Sequence, residues 1–115
     1  MDIAEIQAQT RSMRALYVED DNEVRRQTAK ILKLFFHQVI DCGDGREGID
    51  KFKAGKIDIV FTDINMPGIN GLEMLERIKQ IDPSVKTVIF SAYDESKFFT
   101  KAISIGVDGY ILKPF

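Results

Sequence analysis

Tryptophan is absent from this 115-residue chain, and histidine and cysteine occur once each. A lone Cys42 cannot close an intrachain disulfide. It also has no Cys or His neighbour at metal-ligand spacing, so a reduced compartment fits. No apolar run approaches the roughly 20 residues that span a bilayer. The N-terminus carries acids at Asp2 and Glu5 and lacks the basic start and apolar stretch of a signal peptide, so the expectation is a cytoplasmic protein without a membrane partner. Charge of one sign is lacking too. Sixteen basic against 18 acidic residues leave a net charge of −2, with no basic stripe of the kind that direct nucleic-acid binding needs.

What is present is ordinary for one globular domain. Apolar residues make up 44% and charged residues 30%, which excludes disorder, collagen and coiled coil and leaves enough apolar surface for a core. Short apolar runs alternate with stretches of helical periodicity. The strand candidates are Ala15 to Glu19, Gln38 to Cys42, Ile57 to Thr62, Lys86 to Ser91 and Asp108 to Leu112, rich in Val, Ile, Phe and Tyr.

Between them, Val24, Thr28, Ile31 and Phe35 share one face of a first crossover helix. His37 is expected to close that helix, where a cation suits the negative end of the dipole. Asp44 with Glu47 and Asn70 with Glu73 have capping-box spacing for the second and third helices. Asp94 is expected to open the fourth, which buries Phe98, Ala102 and Ile105. Pro83 and Gly106 supply stop signals. Strands alternating with helices imply parallel pairing, and near-continuous apolar strands imply helices on both faces. The expected fold class is therefore α/β, an open doubly wound parallel sheet, with residues 1–13 as an N-terminal extension.

In such a sheet the C-terminal strand ends converge on one edge, where ligands bind. Strand one ends in Glu19, Asp20 and Asp21, strand three in Asp63, strand four in Ser91 and strand five in Lys113. The four acids and one lysine carry −3, leaving the rest of the chain at about +1. Like charges ~4 Å apart repel by about 4 kcal/mol at an effective dielectric of 20, so the cluster calls for a cation or for protons. Mg²⁺ suits one or two carboxylates, retained waters and phosphoryl oxygens. Asp21, a third acid, is expected to cap the first crossover helix.

The pieces Val18-Glu19-Asp20-Asp21, Asp63-Ile64-Asn65-Met66-Pro67-Gly68 with Gly71, Ser91-Ala92, and Gly109-Tyr110-Ile111-Leu112-Lys113-Pro114-Phe115 stand in order at these strand ends. Over residues 14–115 the sequence resembles a receiver domain of the two-component response regulators, of the chemotaxis-regulator kind. The resemblance implies a flavodoxin-like five-stranded sheet of order 2-1-3-4-5. It implies a phosphoacceptor at Asp63 that takes a phosphoryl group from a partner histidine kinase or phosphotransfer protein. Mg²⁺ would be held by Asp20, Glu19, Asp63 and the backbone carbonyl of Asn65, with Lys113 and Ser91 on phosphoryl oxygens.

The resemblance further implies a switch coupling Ser91 to Tyr110, an output domain or homodimer as further partner, a cis Lys113-Pro114 bond, and control of phosphate lifetime at Asn65 and Tyr93. Such a domain assists its own phosphorylation and is not a conventional enzyme. The family continues past its Lys-Pro pair into a fifth helix, whereas this sequence ends at Phe115, so that helix is expected to be absent. Apolar surface beside strands one and five is then expected to be exposed, or covered by a longer parent chain, a partner or residues 1–13. Two other functions stand beside this one. One is a pseudo-receiver that acts only by binding proteins. The other is an Mg²⁺ phosphohydrolase, disfavoured because Asn65 stands where a second acid is needed.

Overall fold

Five β-branched and aromatic runs form one fully parallel sheet of order β2-β1-β3-β4-β5 in the computed structural model, which describes residues 3–92 and 98–113. The strands are β1 (Arg14–Val18), β2 (Gln38–Cys42), β3 (Ile59–Asp63), β4 (Lys86–Ser91) and β5 (Gly109–Leu112). The helices are α1 (Ile3–Thr10), α2 (Asn22–Leu32), α3 (Gly45–Ala54), α4 (Gly71–Ile81) and α5 (Phe99–Ile105). This is the doubly wound flavodoxin-like order, with a reversal between β1 and β3 that opens a crevice at the strand ends. Strands β2 and β4 have the bounds read from sequence. Strand β1 stops at Val18 and leaves Glu19 just beyond it, whereas β3 runs on to include Asp63.

Side chains alternate across the sheet and make two cores. On one face Leu16, Val18, Val60 and Ile89 meet α3, α4 and Ala102 of α5 in the larger core, with Met74, Leu75 and Ile78 of α4 fully buried. On the other face Ala15, Tyr17, Phe61 and Phe90 pack with Ala29 and Leu32 of α2. Tyr17 stands edge-on to Phe90 at 5.9 Å between ring centroids, Phe61 stacks on Phe90 at 5.5 Å, and Phe36 lies edge-on to Phe61. Ala15 and Tyr17 of β1 are buried on this face, where the expectation allowed either exposed or covered apolar surface. Ile111 on β5, in register with Phe90, is exposed as expected.

Two expectations about the first crossover helix need correction. Its buried face is Thr28, Ala29 and Leu32, while Val24 and Ile31 are exposed and Phe35 is half-buried beyond the helix end. Small residues let the helix axis approach the sheet closely, so Ala29 and Thr28 take the contact that larger side chains would hold off. His37 does not close the helix. Bonds from Leu34 N–H to the Ile31 carbonyl and from Phe35 N–H to the Leu32 carbonyl tighten the chain past Lys33, and the His37 N–H donates to the Met13 carbonyl at 2.9 Å.

The other caps follow the sequence. Asp21 accepts from the N–H groups of Glu23 and Val24, Asp44 from that of Glu47, and Asn70 from that of Glu73. Residues 3–10 of the extension are helical, and Gln7 and Thr10 donate to the carbonyls of Leu34 and Phe35. Phe98 packs against the larger core while Phe99 is exposed. Tyr93, Asp94, Pro114 and Phe115, and with them the lysine-proline bond, lie outside the described residues.

Candidate functional site

The carboxyl ends of β1, β3, β4 and β5 deliver the side chains of the site to one rim. Glu19 leaves β1 into a turn whose backbone is held across the strands, its N–H donating to the Cys42 carbonyl at 3.0 Å. Asp63 ends β3 almost fully buried, and its Oδ1 accepts the Ile64 N–H at 2.9 Å. Among the described residues no donor engages Oδ2 of Asp63, which leaves one oxygen of a fixed carboxylate open to a reacting partner or a cation.

The loop after Asp63 must fold back sharply. Gly68 takes a φ of +81°, which side-chain-bearing residues adopt only with strain. At Gly71 the chain comes so close that an added Cβ would lie 1.9 Å from the Asp63 carbonyl oxygen, and the Gly71 N–H donates to the Ile64 carbonyl at 2.8 Å. The sequence pairing of Gly68 and Gly71 thus has a steric origin. Asn65 sits exposed on this loop, two residues past Asp63.

One oxygen each of Glu19, Asp20 and Asp63 lies within 4.8 Å of the others. Glu19 and Asp63 are buried and Asp20 is exposed. Burial pushes the Glu19 carboxyl above its ordinary value. The Asp63 charge adds to that, and the Asp21 N–H and Lys113 act against it. Lys113 answers the crowding directly, its Nζ lying 3.3 Å from Glu19 Oε1 and 3.3 Å from Asp63 Oδ1. Burial lowers the Lys113 ammonium, but the two carboxylates outweigh it and hold it above its usual value. Three hard oxygen donors on one side with a single ammonium still leave net negative charge. That donor set fits a small divalent cation with waters completing its shell.

Ser91, fully buried at the end of β4, accepts from the Tyr110 hydroxyl at 2.9 Å and donates to the Ala92 carbonyl at 3.1 Å. The Tyr110 ring is half-buried and edge-on to Phe99 at 5.2 Å. The Lys113 N–H donates to the Ser91 carbonyl, tying the lysine to the same strand end. The seven residues singled out in sequence therefore divide into an acidic group with Lys113, a hydroxyl pair Ser91–Tyr110 beside it, and the loop residue Asn65. Asp21 is a helix cap and stands outside the acidic group. Sequence reading did not single out Arg25, which donates to the Glu19 carbonyl at 2.7 Å.

Residues 15–115 match the family model described as the response regulator receiver domain. The chain is similar to the chemotaxis protein CheY of Treponema pallidum, 38% identical over 104 residues that make up 88% of this chain and 72% of that protein. Among solved structures it resembles the N-terminal domain of an uncharacterized protein from Wolinella succinogenes, with a TM-score of 0.84, 39% identity and coverage of 90% and 84% of the two chains. It also resembles the response regulator TrrA of Thermotoga maritima, solved with Mg²⁺ and BeF, with a TM-score of 0.79, 29% identity and coverage of 90% and 88%.

Proposed function

This chain belongs to the response regulator receiver domain family, and on that premise we propose that it is a phosphoacceptor signalling switch with Asp63 as the acceptor. A carboxylate oxygen of Asp63 attacks the phosphorus of a phosphohistidine on a partner kinase or phosphotransfer protein. The P–N bond breaks, an acyl phosphate forms, and the leaving imidazole is protonated. Phosphoryl transfer passes through a loose transition state, so positioning and neutralisation of the equatorial oxygens dominate.

Glu19, Asp20, Asp63 and the Asn65 carbonyl would hold Mg²⁺, which supplies charge neutralisation on the phosphoryl oxygens. Lys113 exchanges its pairing with the Asp63 carboxylate for a phosphoryl oxygen, a task that a compact ammonium on a flexible stem performs without fixed geometry. Ser91 offers its hydroxyl to another. Drawing that hydroxyl toward the phosphoryl group changes the bond with Tyr110, and the ring carries the change to the α5–β5 surface, where Phe99, Ile103 and Leu112 are exposed.

That surface would meet an output domain or a second copy, in the cytoplasm, with residues 14–115 as the switch and 1–13 as an extension. The protein assists its own modification and does not turn over a free substrate. A homologous structure bearing Mg²⁺ and BeF supports this reading. The observation that carries it is Lys113 at 3.3 Å from two carboxylates whose partner acid lies within 4.8 Å. Incubation with acetyl phosphate and Mg²⁺ should add one phosphate by intact mass, lost in Asp63→Asn and on chelation of the metal. No adduct on the wild type across kinase, acetyl phosphate and metal conditions would reject phosphoacceptance and leave a protein-binding module.

A further inference from the structure

Asp20 is exposed, so packing does not fix its carboxylate, and the peptide plane that precedes it sets where its Cα and Cβ stand. That plane carries the Glu19 carbonyl, and a guanidinium holds it. Arg25, one turn into α2, donates through Nη1 to the Glu19 carbonyl at 2.7 Å and through Nη2 to Asn22 Oδ1 at 2.7 Å, while its Nε lies 3.3 Å from Asp41 Oδ2 on β2. One rigid fork thus ties the end of β1, the start of α2 and the neighbouring strand together. Its side chain is only 20% exposed. The turn after β2 is shaped around it, since a Cβ added at Gly43 would come within 3.1 Å of Nη1. The other end of the Glu19 residue is fixed too, by its N–H bond to the Cys42 carbonyl.

A fixed cation beside an acidic cluster opposes metal binding by simple Coulomb repulsion, and Asp41 offsets that charge locally. We infer that Arg25 is a positioning residue, which orients the Glu19–Asp20 peptide so that the Asp20 carboxylate meets the metal pre-aimed. This rests on the phosphoacceptor reading above. Outer groups that orient metal ligands typically matter for affinity by about 10–100-fold.

The sign of the effect separates this role from a mere charge. Titrating Mg²⁺ into the protein while following backbone amide NMR shifts, Arg25→Ala should raise the half-saturating concentration about tenfold. The acetyl phosphate rate at saturating Mg²⁺ should fall by less than about threefold, as expected when ground-state binding and not the transition state is affected. Arg25→Lys keeps the charge but not the fork, and should stay within about twofold of Arg25→Ala. Asp41→Asn keeps an acceptor oxygen but removes the ion pair that holds one arm of the fork, and should weaken binding about threefold.

Loss of a charge alone would tighten Mg²⁺ binding in Arg25→Ala, and a purely structural residue would lower the melting temperature without moving the titration. Either result overturns the inference. If Arg25→Ala does not fold, wild-type titrations in both Arg25→Lys and Asp41→Asn overturn it. A wild type that takes neither Mg²⁺ nor phosphate removes the phosphoacceptor reading and this one with it. A wild type that takes both, with variants that titrate alike, removes this one alone.

Discussion

At the scale of single residues, burial sets the chemistry of two side chains that the site does not use. Cys42 is fully buried beside β1, and burial, aided by the Glu47 charge, pushes its thiol up to about 12. Tyr17 is pushed up to about 12 mainly by burial, with the charges of Glu19 and Asp63 adding and a bond to Thr28 opposing. Both groups are neutral when protonated, so the folded chain holds these protons more tightly than the unfolded one. Their stabilising effect is full below their ordinary values of 9.0 and 10.0 and is lost as pH climbs toward about 12. For Tyr17 the loss is at most about 3 kcal/mol. Urea unfolding between pH 9 and 12 should show this decline, and Tyr17→Phe should flatten its upper part. At pH 8 a thiol reagent should modify Cys42 only as fast as the fold opens. The acidic cluster and Lys113 were legible in the sequence because strand ends of a parallel sheet must share a rim. Arg25 was not, because it is one of 16 cations and only the fold brings it between the Glu19 carbonyl and an acid on a different strand.

At the scale of elements, α2 shows where pattern reading falls short. Successive residues turn by about 100°, so moving from the expected stripe to Thr28, Ala29 and Leu32 rotates the helix by roughly 75°. Arg25 lies on the rotated side, bonded to the Glu19 carbonyl, so a polar contact helps choose the face that apolar periodicity leaves ambiguous. Two substitutions check it by urea denaturation. Ile31→Ser should change stability by less than about 0.5 kcal/mol, as expected at an exposed position. Leu32→Ala should cost about 3 kcal/mol, as for other buried leucines. Caps were legible at once, since Asp21, Asp44 and Asn70 act within three residues of themselves. Strand ends were off by one or two residues where apolar runs continue into loops, as at Ile57, which is buried although it precedes β3.

At the scale of the molecule, the order 2-1-3-4-5 puts β1 and β3 in the interior of the sheet and β5 at its margin, half-buried at best. Native-state hydrogen exchange should find the amides of β1 and β3 slowest and those of β5 opening in a smaller, cheaper event. The order was legible through family resemblance; alternation of strands and helices alone argued only for a parallel sheet. The same arrangement makes Lys113 bond to Glu19 across 94 positions of sequence. An emerging polypeptide on the ribosome therefore displays its acids long before the ammonium that restrains them. A chain halted ahead of β5 lacks Lys113 and leaves the Glu19 and Asp63 carboxylates without the ammonium that pairs with both.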